Sequence, residues 1–235
     1  LLGWHFAQGG GTVESGWITG NAGSARVLDK LGFWPTKDRQ TYSQFHGKEV
    51  PVERVEMEAE HRPLFTLATK RLRLTGMRHS DIDAVHRDWG DPAVARMLTS
   101  ITPNWTRDQA RAWLQLRRRQ GRYGFGLAVR LPDGTLVGSV GLGGENANLG
   151  YMFGQQYWGQ GFATEAVSAF LKAAYAFLPD LDALGADVYD DNPASIRLLE
   201  RLGFTRTGPS TCQSLGRVEP SASSAYRVTR STLRA

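Results

Sequence analysis

The chain has 235 residues, of which 41% are hydrophobic and 22% charged, and its net charge is +5. This composition suits one or two globular domains with a sizeable core and excludes a wholly disordered chain. The single cysteine, Cys212, excludes an intramolecular disulfide and favours a reducing, cytoplasmic location. No run of about 18 apolar residues is present, so we expect no membrane span.

Near the N-terminus, one segment has the same pattern as a segment close to the C-terminus. "NAGSARVLDKLGF" from Asn21 matches "NPASIRLLERLGF" from Asn192 at one constant offset. The distance is too long for a solenoid and indicates duplication of a whole domain. We therefore predict that residues 1–62 are the C-terminal half of a first unit and residues 63–235 a complete second one. The front half of the first unit is absent because the chain was cut or because another piece completes it, and the sequence leaves both open.

The predicted half-unit has apolar faces that need cover. They belong to the helix "SARVLDKLGF" and to the strands "VESGWIT" and "VERVEME". Because a contiguous apolar face is rarely left exposed, we expect these faces to pack against the second unit. The alternative is a homodimer in which the half-unit swaps with a copy in another chain.

The second unit opens with a strand and two helices. "RLRLTGM" predicts the strand, and the helices start at Ser80, with Asp83 three residues later, and at Thr106, with Gln109 three residues later. The second helix ends in the basic cluster Arg117–Arg119. Such a cluster is either a solvated helix face or an attraction for an anionic ligand or partner.

The middle of the second unit predicts three consecutive strands. "RYGFGLAVR" alternates apolar residues at strand period, "LPDGT" is a turn, and "TLVGSVGL" and "NLGYMF" follow as strands. We interpret the glycines of "GSVGLGG" as strand and hairpin residues. After these strands come the glycine-rich "QQYWGQGFATEA", an amphipathic helix, the strand "ALGADVYD", a helix from Asn192 to Gly203 and two more strands. This order predicts an α/β fold with a mixed, mostly antiparallel central sheet and helices on both faces.

The glycine-rich stretch lies where a strand runs into a helix. The first N–H groups of such a helix are unpaired and favour an anion. Gly159 and Gly161 let a ligand approach the backbone closely. The run has no following Lys-Ser/Thr, no acidic residue and no third glycine, which disfavours a P-loop, a bound metal and a dinucleotide fingerprint. The junction suits a pyrophosphate held by backbone amides, and a tight turn alone is the alternative.

These segments together resemble the GNAT superfamily of acyl-CoA-dependent N-acetyltransferases. "QYWGQG", from Gln156 to Gly161, resembles the pyrophosphate loop of that family, and the segment from Asn192 to Phe204 resembles its second motif. "YWGQGFATEA" is similar to the Rim-type branch, whose members acetylate protein N-termini and some small amines. The resemblance covers residues 67–230, and residues 1–60 resemble the back half of the same fold.

The resemblance implies where a cofactor binds. Acetyl-CoA would lie in a gap between two splayed strands, with its pyrophosphate on the amides of the glycine loop and its pantetheine arm on a free strand edge. The first unit lacks this loop, so we expect it to bind none. The implied cofactor-binding residues are Tyr151, Met152, Phe153, Gln156, Tyr157, Trp158, Gly159, Gln160, Gly161, Phe162, Ala163 and Asn192.

The resemblance also implies the chemistry, namely direct attack of a primary amine on the thioester in a ternary complex. Many relatives carry a Glu where this chain has Asn148, and a Tyr where it has Leu199. Ser195 is the candidate for protonating the leaving thiolate. The candidates for a general base that deprotonates the amine are Glu145, Asp187 and Asp190. Such a base is dispensable if proximity of the reactants supplies most of the rate.

The amine acceptor, a small molecule or a peptide N-terminus, is expected to contact Trp89, Met97 and Trp105, for which core packing is the alternative role. The histidines show no metal-ligand spacing, so we expect no metal.

A non-catalytic acyl-CoA-binding or dimerisation module is the alternative function. The missing Glu and Tyr favour it and the intact glycine loop opposes it. We expect no nucleic-acid binding, because the basic residues form no stripe.

Overall fold

The computed structural model describes residues 2–118, 123–144 and 146–234, and of Glu60 the backbone only. It divides into two compact units. The first comprises Leu1–Arg62 with Met77–Asp81, and the second Pro63–Gly76 with Ile82–Ala235. No helix in the described parts is long and apolar enough to cross a membrane.

The first unit is a small sheet with two helices. Its long strand β4 pairs antiparallel with each of the three other strands. The buried core is small and consists of Phe33, Val55 and Met57. In chain order the elements are α1 Leu2–Ala7, β1 Val13–Ile18, α2 Ala22–Leu31, β2 Trp34–Pro35, β3 Arg39–Ser43 and β4 Lys48–Met57.

The second unit is built on one sheet of eight strands. Its elements are β5 Leu67–Ala68, β6 Arg73–Gly76, α3 Ile82–Trp89, α4 Pro92–Ala95, α5 Arg107–Leu116, β7 Phe125–Arg130, β8 Leu136–Gly143, β9 Asn148–Phe153, α6 Phe162–Phe177, β10 Ala183–Tyr189, α7 Pro193–Arg201, β11 Thr205–Cys212 and β12 Ser221–Thr229. The strand order is β11-β12-β10-β9-β8-β7-β6-β5, and every pair is antiparallel except β9 with β10. The predicted mixed, mostly antiparallel sheet with helices is confirmed.

Local sequence signals set most helix ends. The capping box predicted at Thr106 and Gln109 starts α5. The helix predicted to start at Ser80 instead begins at Ile82, after a 3₁₀ turn in which the Asp81 carboxylate accepts the Arg78 N–H at 2.8 Å. The apolar stripe of α6 is buried against the sheet except near its ends, where Phe177 is 55% exposed.

The parallel pair β9 and β10 determines where a ligand can enter the sheet. The two strands are in register at a single residue pair, Gly185 with Asn148. Beyond that pair they diverge, whereas β9 stays paired with β8 along its whole length. The far edge of β9 therefore keeps backbone groups without a strand partner, and a gap opens between the strands.

Candidate active site

A groove of about 910 Å³ passes through the gap between β9 and β10. One end is formed by the start of α6, and the other by the segment around α4 and the end of α5. Residues of β8, β9, β10 and α7 line the part between. All of its lining residues belong to the second unit.

The glycine junction forms one end of this groove. Gly159 and Gly161 have φ angles of 73° and 77°, which only glycine adopts readily. Gly161 caps α6, and no side chain accepts a hydrogen bond from the first turn of that helix. The unpaired N–H groups of the first turn, from Phe162 onward, therefore border the groove. This end suits an anion.

A salt bridge braces the junction from behind. The Arg71 guanidinium donates to the Gln160 carbonyl at 3.0 Å and to the Glu165 carboxylate at 2.7 Å. Glu165 also accepts from the Thr69 hydroxyl at 2.6 Å and from the Arg71 N–H at 2.9 Å. Burial raises the pKa of Glu165, but these hydrogen bonds outweigh burial and hold the pKa below its ordinary value. No local sequence pattern predicts this brace, because its partners lie far apart in the chain.

The free edge of β9 continues the groove. Leu149 and Phe153 pack in the core with α6, so Asn148, Gly150 and Met152 face the opposite side of the sheet. The Trp158 indole N–H donates to the Phe153 carbonyl at 2.8 Å and ties the junction to the strand end.

Most of the predicted cofactor residues come together. Those that line the groove are Tyr151, Met152, Phe153, Tyr157, Trp158, Gly159, Gly161, Phe162, Ala163 and Asn192. Two do not line it. Gln156 borders a separate small pocket beside Arg87, and the Gln160 side-chain amide donates to the Gln156 carbonyl at 2.9 Å.

A tyrosine hydroxyl lies beside the predicted Ser195. Among the described residues the buried Tyr151 hydroxyl has no partner at hydrogen-bonding geometry. Burial raises the pKa of Tyr151 to about 12, although the neighbouring Ser195 lowers it in part. The hydroxyl therefore stays protonated at neutral pH. The Ser195 N–H donates to Asn192 Oδ1 at 3.1 Å, so both residues also cap α7.

The remaining acid and base candidates differ in whether they line the groove. Asp187 lines the groove and is exposed, whereas the Asp190 carboxylate accepts from the Ser224 hydroxyl at 2.7 Å and does not line it. Glu145 lies outside the described residues. Leu199 is fully buried, so the position expected for a tyrosine faces the core here. The described residues contain no group of three or more acidic, His or Cys side chains that could hold a metal.

At the far end of the groove, the tryptophans take different positions from those expected. Met97 lines the groove, but Trp89 is 1% exposed, and Trp105 donates its indole N–H to the His86 carbonyl at 3.1 Å within the core. At this end of the groove the lining tryptophan is Trp113, which packs edge-on against the other two. The sequence pattern alone does not show which of these three tryptophans lines the groove.

The connection between β11 and β12 holds this end of the groove in place. The Leu215 N–H donates to the Thr99 carbonyl at 3.2 Å, and the Ser214 hydroxyl donates to the Leu98 carbonyl. The Arg217 guanidinium donates to both oxygens of Asp191 at 2.8 Å and 3.0 Å, which lowers the pKa of that carboxyl. The sequence carries no local signal for these long-range bonds.

The comparisons with known proteins agree with this architecture. A model of the acetyltransferase (GNAT) domain matches residues 71–205. The chain belongs to the GNAT acetyltransferase family. It is 34% identical to the uncharacterized N-acetyltransferase p20 of Bacillus licheniformis over 61% of this chain and 84% of that protein. It is 30% identical to the uncharacterized N-acetyltransferase YoaA of Bacillus subtilis over 60% and 84%.

Solved structures have the same fold. A GNAT-family acetyltransferase from Bacillus anthracis has a TM-score of 0.61 at 23% identity, over 70% of this chain and 98% of that one. The spermidine N-acetyltransferase of Vibrio cholerae, solved with CoA and spermine, has a TM-score of 0.61 at 16% identity over the same shares. At these identities the similarity extends to the fold alone.

Proposed function

We propose that this GNAT family member transfers an acetyl group from acetyl-CoA to a primary amine. One observation carries the proposal, namely the groove that runs from the glycine junction through the gap between β9 and β10. A structural neighbour solved with CoA and spermine supports it by analogy. As in the Rim-type branch, the amine is a protein N-terminus or a small molecule.

The groove fits the chemistry of the donor. Backbone amides after Gly161 suit the pyrophosphate, since a helix N-terminus without a side-chain cap favours an anion. Arg197 and Arg201, one turn apart on α7, line the groove and are exposed, so they can pair with a further phosphate. The free edge of β9 suits the amides of the pantetheine arm, as in strand addition.

The residues around the middle of the groove then serve the transfer. The amine nitrogen attacks the thioester carbonyl, a C–N bond forms and the C–S bond breaks. A free N–H on β9 stabilises the negative oxygen, a contribution worth about 10²-fold or more. The Tyr151 hydroxyl, with Ser195 beside it, supplies the proton to the leaving sulfur. Asp187 lines the groove and accepts the proton of the amine, since Asp191, which also lines it, is paired with Arg217.

The competing proposal is a non-catalytic acyl-CoA-binding module. The absence of a carboxylate at Asn148 and of a hydroxyl at Leu199 favours it. The protonated Tyr151 hydroxyl at the groove favours the enzyme, because it offers an acid from strand β9 in place of one from helix α7.

The test is a calorimetric titration with acetyl-CoA, followed by an assay of CoA release with a panel of primary amines. We expect one site per chain. Gly161→Val should weaken binding by about 100-fold, because valine is strained at positive φ and its side chain fills the junction. Gly134→Val is the matched control, since Gly134 also has a positive φ of 97° but lies in the turn between β7 and β8.

The outcomes separate the two proposals. Binding that Gly161→Val weakens, together with CoA release, supports the transferase. Binding without transfer to any amine leaves the binding module, and no binding at millimolar acetyl-CoA contradicts both.

A further inference from the structure

Arg117 is the first residue of the basic cluster at the end of α5. Arg117 turns into the far end of the groove, opposite the glycine junction. Its guanidinium lies 4.6 Å from the centre of the Trp113 ring and donates to Ser100 Oγ at 3.2 Å. Arg119 lies outside the described residues.

The charge of Arg117 has no counter-charge among the described residues. Its polar side-chain contact is the neutral Ser100, and burial lowers the pKa of its guanidinium. The guanidinium nevertheless stays charged at any physiological pH. Two arginines near this end of the groove differ from Arg117, because each has a carboxylate partner. Arg96 and Arg217 both pair with Asp191 at 2.8 Å. Burying a cation without a counter-charge costs free energy, unless a bound ligand supplies that counter-charge.

Ser100 adds a second donor to the same place. Its Oγ accepts the Trp113 indole N–H at 3.1 Å and the Arg117 N–H at 3.2 Å. A hydroxyl oxygen has two lone pairs, so its own hydrogen is left to donate elsewhere. Within the described part of the chain, the remaining guanidinium N–H groups and the Ser100 O–H are therefore donors without an acceptor.

Glycines leave room beneath this cluster. Gly126, Gly141 and Gly150 are in register across β7, β8 and β9, and all three line the groove. A side chain on Gly141 would collide with the Phe125 carbonyl, and one on Gly143 would contact Arg117. Gly141 and Gly143 of "GSVGLGG" thus belong to strand β8 and also keep this end of the groove open.

We propose that Arg117 and Ser100 bind a carboxylate of the acceptor, so that the acceptor is an amine that also carries a carboxylate, such as an amino acid. This inference rests on the proposed function and names its substrate class. A single planar guanidinium held on an indole ring matches a single carboxylate through two parallel hydrogen bonds. The phosphates of the donor do not need Arg117, because they have the glycine junction and α7 at the other end.

The test is a titration with an N-acetyl amino acid and with its amide, which differ only in the carboxylate. It is run with and without CoA, so that it does not depend on turnover. We expect the carboxylate to bind at least about tenfold more tightly than the amide. Arg117→Gln should abolish that preference, and Ser100→Ala should reduce it without removing the arginine.

The control is Arg107→Gln on the same helix. It breaks an exposed ion pair with Asp83, and neither residue lines the groove. It should keep the wild-type preference. Equal binding of carboxylate and amide, no binding of either, or a preference that survives Arg117→Gln would each overturn the inference. Transfer to amines that lack a carboxylate with equal kcat/KM would also overturn it and would leave the proposed transferase intact.

Discussion

Helix α2 of the first unit and helix α7 of the second start in the same way. The Asn21 side chain accepts the Ser24 N–H at 3.1 Å. The Asn192 side chain accepts the Ser195 N–H at 3.1 Å. Each cap satisfies a helix N–H that would otherwise lack a partner, and each is made within four residues of chain.

The two helices also end in the same way. Gly32 and Gly203 follow them with φ angles of 89° and 91°. The Phe33 and Phe204 N–H groups each donate to the carbonyl five residues back at 3.0 Å. These bonds satisfy the last carbonyls of a helix, and glycine makes them possible because it adopts positive φ without strain.

Burial distinguishes the two helices. Leu202 is 2% exposed, whereas the equivalent Leu31 is 50% exposed. Leu198 is 8% exposed, whereas the equivalent Val27 is 57% exposed. Helix α7 belongs to the large core of the second unit, while α2 contributes no buried residue. The comparison teaches that helix ends follow from local sequence and that burial follows from what the rest of the fold supplies.

We propose that the two segments derive from one duplicated unit. The second copy follows a strand, a glycine junction and α6, and it lines the groove. Four predictions test this comparison.

The largest expected difference concerns the equivalent leucines. Leu202→Ala should destabilise the chain by about 2–5 kcal/mol, because it leaves a cavity in a closed core. Leu31→Ala should change stability by about 0.5 kcal/mol or less. Chemical denaturation followed by circular dichroism measures both. Similar losses for the two variants would contradict the difference in burial.

The second prediction concerns the groove chemistry of the second unit. Tyr151→Phe should lower kcat by about 100-fold, because it removes the proposed acid, with little change in acetyl-CoA affinity. Because the pKa of Tyr151 is raised to about 12, the wild-type rate should show no loss from this group as the pH rises to about 10. Steady-state kinetics across pH measures this, with the exposed Tyr42→Phe as control. An unchanged kcat would rule out Tyr151 as the acid.

The third prediction uses the matched caps. Asn21→Ala and Asn192→Ala should each cost about 1 kcal/mol of stability. Only Asn192→Ala should also weaken acetyl-CoA binding, since only Asn192 lines the groove. Calorimetry measures the acetyl-CoA affinity of both variants. An equal loss of affinity in the two would show that the loss arises from destabilised folding.

The smallest expected effect concerns acidic side chains in ion pairs. Hydrogen bonds hold the pKa of Glu165 below the ordinary 4.5, so its ionised form stabilises the fold above that pH. This contribution should fade as the pH falls through the lowered pKa. The Tm difference between wild type and Glu165→Gln should therefore shrink below pH 4.5. Glu14→Gln, which breaks an exposed ion pair with Arg54 in the first unit, should change Tm little at any pH.

The sequence by itself determined the local structure and the family. The caps at Asn192 and Thr106 and the strand alternation depend on neighbours in the chain, so they are readable without a fold. The glycine junction is equally local, because a positive φ needs glycine wherever it occurs.

Only the tertiary structure decided which side chains meet at the groove. Trp113, rather than Trp89, lines it, because strand pairing decides which face of each helix turns toward the gap. The Arg71–Glu165 brace and the contact of Arg117 with Ser100 depend on groups distant in sequence. Such pairings are set by packing of the whole sheet, and no local pattern encodes them.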